Sequence, residues 1–444
     1  MYISLRLMVN IINQEIYTKK HFFYSIMNRY LTLLLLFISI KGIAQTTPYD
    51  NNVYNPAIKT VEFYNTKKEP SLPIVNLNSA EQVQLSFDDL RGGVRNYYYS
   101  LEHCDGDWNS SNLSPTQYLQ NFTEDKIIDY TYSSATFQKY THYTIKFPNE
   151  YIKPKISGNY ILRVYEDDDP TKIILTRRFY VLSSKVTVSG EVVASSDLDN
   201  RAHNQKINFQ IDYGMLKMQN PNTDIRTWVM QNQRNETGSF TTQPQYIRGS
   251  QLIYGDLSTN EFPGGNEFRH FDTRSLKLNS DRVSHIYRDT ANSVVLLTDV
   301  SRNLPNYTFL YDNDGQFYPL NQDGTDPTVD ADYAHMFFSL TAGKTAADGS
   351  AYIVGKFNDY KLDEHSKLDY DDKGKFYTHL FLKQGVYDYQ YVWVDNATKK
   401  PDYTFLEGSY FDTENKYQVL VYYHPPAAQW EELVGYIVLS SVQK

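Results

Sequence analysis

From Gln45 onward the chain is patterned with a period of two. Val83, Leu85 and Phe87 alternate with polar neighbours, as do Tyr97, Tyr99 and Leu101, then Tyr143, Ile145 and Phe147, then Ile207, Phe209, Ile211 and Tyr213. Tyr417, Val419, Val421 and Tyr423 repeat the pattern near the end. Successive side chains of a strand point to opposite faces, so this alternation predicts antiparallel strands with one face on a core and the other in solvent. Turn signals separate the runs at Arg91-Gly92-Gly93, Ser157-Gly158-Asn159, Asp314-Gly315, Asp323-Gly324, Lys373-Gly374 and Gln384-Gly385. No stretch sustains a 3.6-residue amphipathic pattern. The expected class is all-β, with immunoglobulin-like β-sandwiches following one another along the chain.

At 444 residues there is room for about three domains of the usual size. Phe179–Leu182 reads as a closing strand with Ser183-Ser184 as a joint, and Asn321–Asp332 is a polar stretch rich in Asp and Gly. These breaks divide the mature chain into residues 45–183, 184–330 and 331–444. The 40 Tyr against 23 Phe and 4 Trp suit half-buried strands and wet protein interfaces. A net charge of −9 gives no support to nucleic-acid or anionic-membrane binding. Cys104 is the only cysteine, which rules out an intramolecular disulfide and a cysteine metal cluster, and it reads as a small core residue.

Residues 1–44 carry an address. Asn28-Arg29 precede the apolar run Leu31–Ile40, and Gly42-Ile43-Ala44 supplies a small-x-small cleavage site before Gln45. The run is too short to span a bilayer permanently. The expectation is a cleaved signal peptide starting at Met27, an upstream extension over 1–26, and an exported, soluble mature chain. No cysteine follows the apolar run to take a lipid anchor.

Chemical motifs are sparse. Counted as a calcium loop from Asp312, positions six and twelve fall on Phe317 and Asp323 instead of Gly and Glu, so Asp312–Gly315, like Asp105-Gly106-Asp107, reads as a turn. The ten histidines form no His-x-x-x-His pair, and His103 shares a strand face with Tyr97, Tyr99 and Leu101. No nucleophile elbow, phosphate loop or dinucleotide fingerprint is present. No catalytic, cofactor or metal residue is assigned. Interface hot spots favour aromatic residues, so the candidate partner-binding groups are aromatics expected to face solvent in turn-rich regions: Trp108, Tyr118, and Phe262, Phe268 and Phe271 around Pro263-Gly264-Gly265. The competing reading of each is a packing anchor under a long loop.

The order of motifs is distinctive. Ile58-Lys-Thr-Val-Glu-Phe-Tyr64, Pro70-Ser-Leu-Pro73, Leu85–Arg91 and Asn96–Tyr99 lead to Glu102-His103-Cys104-Asp105, Asp107-Trp108, Leu113-Ser114-Pro115 and Tyr118-Leu119. Tyr140–Tyr143, Phe147-Pro-Asn149, Ser157–Tyr160, Arg178–Tyr180 and then Phe262–Phe268 follow. This series resembles the plug protein family of the type IX secretion system of Bacteroidetes. The resemblance implies a periplasmic, non-enzymatic protein without cofactors, monomeric within a hetero-complex, that closes the periplasmic mouth of an outer-membrane translocon barrel. Ala351–Tyr360 and Gly385–Tyr391 are in turn similar to the early-set module of glycogen-binding domains, with Tyr360 where the binding tryptophan of that module stands. The alternative function this implies is a glycan-binding envelope accessory protein.

Overall fold

The computed structural model describes residues 49–442 apart from positions 69, 215, 242, 257 and 427. The leader and cleavage site expected over 1–44 lie outside the described residues. Strand is by far the commonest regular structure of the described chain, as the period-two pattern predicts, and its six larger sheets form three face-to-face pairs, each around its own apolar core.

In the first sandwich one sheet runs in the order Asn52–Val53, Ile173–Leu182, Gly158–Glu166, Tyr97–Cys104, Glu124–Ile127, with Ile74–Asn76 alongside Ile173–Leu182. The facing sheet is Ile58–Asn65, Val83–Asp89, Thr141–Phe147, Asp129–Tyr132. Tyr97, Tyr99 and Leu101 meet Leu85, Phe87, Tyr143 and Phe147 in the core, and the Phe87 and Tyr143 rings stack at 5.3 Å. His103 is also buried. The turn into strand Gly158–Glu166 needs glycine, because Gly158 has φ +143° and a Cβ there would lie 2.4 Å from His103 Nε2.

The second sandwich does not keep to one stretch of sequence. Its first sheet is Thr187–Ala194, Asn204–Asp212, Gln251–Tyr254, Tyr246–Arg248, but its second is Ser239–Thr241, Ile225–Gln231, Lys416–Tyr423, Glu432–Ser440. The last two strands of the described chain therefore complete the middle sandwich. The third sandwich sits between them in sequence, with Arg269–Asp272 and Phe317–Pro319 flanking Gly385–Asp395, and Asn292–Leu296 pairing in parallel with Tyr333–Thr341.

The sheet pairings thus run across the division expected at 331, and the sandwiches are not strung in series. The polar Asn321–Asp332 stretch is a loop inside the third sandwich, where Asp330 accepts from Asn321, Thr325 and Asp326. It read as a linker because a well-satisfied polar loop and a linker have the same composition.

Candidate partner-binding surface

The three sandwiches are tied by groups that alternation assigned to solvent. In strand Val83–Asp89, Phe87 points into the first core, which sends Asp88 outward. There it is fully buried by the third sandwich. Its carboxylate accepts from Lys383 Nζ at 2.8 Å, Tyr333 Oη at 2.7 Å and His142 Nδ1 at 2.7 Å. Thr60 Oγ1 lies 2.6 Å from Tyr333 Oη, and Lys383 Nζ sits 4.1 Å from the centre of the Tyr140 ring. Burial alone would push the Asp88 carboxyl up, but Lys383 and His142 outweigh it and hold it below the usual carboxylate range. Asp332 adds a second tie by accepting from the backbone N–H groups of Phe137 at 2.7 Å and Gln138 at 3.1 Å.

The first and second sandwiches meet sheet to sheet. Strand Lys416–Tyr423 is apolar on both sides: Tyr417, Val419 and Val421 fill its own core, while Leu420 and Tyr422 pack with Met230 and Leu433 against Leu72, Cys104, Ile161 and Tyr180. The Tyr422 hydroxyl donates to Asn159 at 2.9 Å, and Arg226 reaches Asp107 across the joint at 2.6 Å. Cys104 is sealed in this layer, and burial pushes its thiol up to about 12. The second and third sandwiches meet through Arg234, which lies 4.3 Å from the Tyr360 ring centre and 5.0 Å from that of Tyr403.

Where all three sandwiches converge, a cleft of about 680 Å³ opens between Leu72 and Ile74 of the first, Tyr436 and Val438 of the second, and Tyr311 and Gln316 of the third. Beside it runs an irregular segment over residues 301–316. Its base is fixed: the Tyr307 hydroxyl donates to Glu267, Arg302 bonds Glu407 at 3.0 Å, and the Tyr410 hydroxyl bonds the Leu304 carbonyl at 2.6 Å. Its tip is apolar and open, with Leu304 57%, Phe309 53% and Tyr311 75% exposed. Behind it Asp312 accepts from the Phe268 and Asp314 amides, yet burial, with the Asp388 charge adding to it, pushes its carboxyl up to about 7. Irregular stretches of this length are uncommon inside a compact domain, and its outward aromatics make this one a candidate contact surface.

The aromatics singled out by sequence lie elsewhere and are not brought together. The expectation that they face solvent fails for all five. Trp108 is in the joint between the first two sandwiches, edge-on to Tyr180 at 5.3 Å and under Arg178 at 4.5 Å. Tyr118 packs against Tyr160 in the first core, and Phe262 against Tyr417 in the second. Phe271 stacks on Tyr387 at 5.2 Å in the third core, while Phe268 lies against Tyr360 at the junction. Turn-rich windows carry no periodicity, so nothing local reported the distant strands that cover these rings. The 301–311 tip was missed, although Asn303–Tyr311 is a charge-free stretch in an acidic chain.

Tyr360 is likewise no sugar platform. It is 6% exposed, with Arg234 over its face and its hydroxyl donating to the Gly315 carbonyl at 3.0 Å.

Comparison with known proteins identifies the first sandwich. Residues 58–183 match the model of the type 9 secretion system plug protein first domain. Among solved structures, a hypothetical protein from Parabacteroides merdae aligns with TM-score 0.84 and 32% identity, covering 88% of this chain and 99% of its own. An alkylpurine DNA glycosylase of Pseudomonas fluorescens, AlkC, bound to abasic-site DNA, aligns over 28% of this chain and 29% of its own at 7% identity, and its TM-score of 0.15 carries no likeness of fold. No curated protein matches significantly. With a domain match that spans the first sandwich and a solved relative that follows the chain through all three, the protein belongs to the plug protein family of the type IX secretion system.

Proposed function

We propose that the protein is a non-catalytic stopper, held against the periplasmic mouth of the secretion system's outer-membrane barrel when no substrate is passing. A wide barrel is a hole in the permeability barrier, and closing it requires a body that does not deform. The observation that carries the reading is the way the three sandwiches are fastened. Asp88, Tyr333 and Lys383 are buried between the first and third, an apolar layer joins the first and second, and Arg234 joins the second and third. Such fastening makes one broad surface of three domains, whereas flexibly linked modules would leave gaps. The alternative reading as a glycan-binding accessory protein draws no support from Tyr360, whose faces are covered.

A strain lacking the protein should take up large dyes and bulky antibiotics faster than its parent, with the barrier restored by the intact gene. Unchanged uptake, with the translocon barrel present in the outer membrane, refutes the stopper.

A further inference from the structure

Leu72 and Gln233 line the large cleft and also a second, narrow pocket of about 30 Å³ where all three sandwiches touch. The first sandwich gives this pocket Arg177 and Arg178 from strand Ile173–Leu182, with Phe63 as an apolar wall. The second gives Asn235, from the turn after Ile225–Gln231, and the third gives Lys356 and Asp359, from the turn after Gly349–Val354. That last turn is fixed in place. The Lys356 amide donates to the Gly315 carbonyl at 3.3 Å, and the Asp359 amide donates back to the Lys356 carbonyl at 3.2 Å.

The charges in the pocket do not balance. Arg178 pairs with Asp50 at 3.4 Å. Arg177 uses Nη1 on the carbonyls of Thr176 at 2.9 Å and Asn52 at 3.3 Å, and its Nη2 faces Asp359 at 3.4 Å. Lys356 has neither an ion pair nor a hydrogen-bond acceptor for its ammonium among the described residues. The carboxylates that act on it through space, Asp359 and Glu236, each already hold an arginine, Arg177 and Arg234. Burial therefore pushes the Lys356 ammonium below the usual lysine range. Proteins pair the charges they bury, and a chain of net charge −9 has carboxylates to do it with. Here one cation is left over.

We propose that this pocket is an anion site, taking one small monovalent anion of the chloride class held by Lys356 Nζ and Arg177 Nη2. A water molecule can accept from the ammonium but cannot neutralise it. The volume admits one or two particles of water size, so a halide enters while a phosphate or a carboxylate-bearing metabolite does not. Next to the Phe63 ring and away from bulk water, opposite charges attract more strongly than they do on an open surface. Because each sandwich supplies part of the lining, the anion binds the assembled body and not its separated parts, and it stabilises the joint by mass action.

The test replaces sodium gluconate by sodium chloride at constant ionic strength and follows the melting of the full-length protein. Tm should climb along a saturating curve, by about 2 °C at roughly ten times the half-saturating chloride concentration. Lys356→Met removes the unpaired charge and should abolish the climb, while Lys373→Met, at an exposed lysine of another turn, should keep it. Crystals of the wild-type protein grown in sodium bromide should show an anomalous peak beside Lys356 Nζ, a readout that stands even if Lys356→Met does not fold. A wild-type Tm that ignores chloride, as it would if Lys356 had shed its proton, overturns the proposal. So does a Lys356→Met variant that climbs like wild type, or bromide found only elsewhere. A bromide peak in the pocket without the solution response would mean an adventitious ion only, and would overturn it equally.

Discussion

Replacing Lys383 by Met should loosen the first sandwich from the third. The ammonium and the Asp88 carboxylate are 1% and 0% exposed and lie 2.8 Å apart. Met fills much of the same volume but removes the charge, leaving a carboxylate with only Tyr333 and His142 as donors. Breaking one side of a buried pair typically costs about 3–5 kcal/mol, since the remaining ion is neither hydrated nor compensated. For a body of about 400 residues that melts cooperatively, about 4 kcal/mol corresponds to a fall of roughly 5 °C in Tm. Adding Asp88→Asn should recover about 1–2 kcal/mol, because a neutral amide still accepts from Tyr333 without burying a charge. The assay is urea unfolding of the four proteins of the cycle at pH 7.5, with melting curves alongside. A loss below about 1 kcal/mol in Lys383→Met, or additive single-variant losses, would show that solvent reaches the pair and that it does not fasten the sandwiches.

Two groups should give opposite pH signatures. Burial pushes His103 down from 6.5 to about 4, so the folded state binds fewer protons than the unfolded one. The stability this group contributes is complete above pH 6.5 and falls by roughly 3 kcal/mol towards pH 4; His103→Gln should flatten that part of the curve in pH-dependent urea unfolding. Asp312 is raised to about 7, so its contribution is complete below the ordinary carboxyl value and is lost as pH rises through 7. Asp312→Asn should therefore stabilise the protein at pH 8 and leave it unchanged near pH 4, as read from Tm at the two values. At the crossing from the second sandwich into the third, a Cβ on Gly264 would lie 2.0 Å from the Tyr410 carbonyl oxygen. Gly264→Ala should cost at least about 2 kcal/mol by forcing the backbones apart, and a neutral effect in urea unfolding would refute that packing.

Strands such as Tyr97–Cys104 and Asn204–Asp212 were legible because a strand with one covered face writes its geometry into every second residue. What alternation cannot state is whether the other face is also covered. Leu420 and Tyr422 lie on the second face of Lys416–Tyr423, and only the first sandwich, far away in sequence, buries them. Asp88 stands at a polar place in its strand and reads as solvated until Lys383 arrives from the third sandwich. Trp108 and Phe268 were misplaced for another reason, since they stand outside the strands where no alternation exists to be read. The family was legible because its ordered motifs lie mostly in the first sandwich, the part matched at 58–183. The outward aromatic tip at Leu304–Tyr311 was not, because charge-free irregular sequence resembles a spacer as much as a contact.

The split middle sandwich has a consequence for how the molecule is made. Ile225–Gln231 has Lys416–Tyr423 as its neighbour, so in a chain that folds from its N-terminus the half-built sheet must wait, its apolar rows uncovered, until Lys416–Tyr423 and Glu432–Ser440 arrive. A truncation of the last thirty or so residues would then spare the third sandwich, which lies nearer to the cut in sequence, and unravel the second together with the layer that seals it to the first.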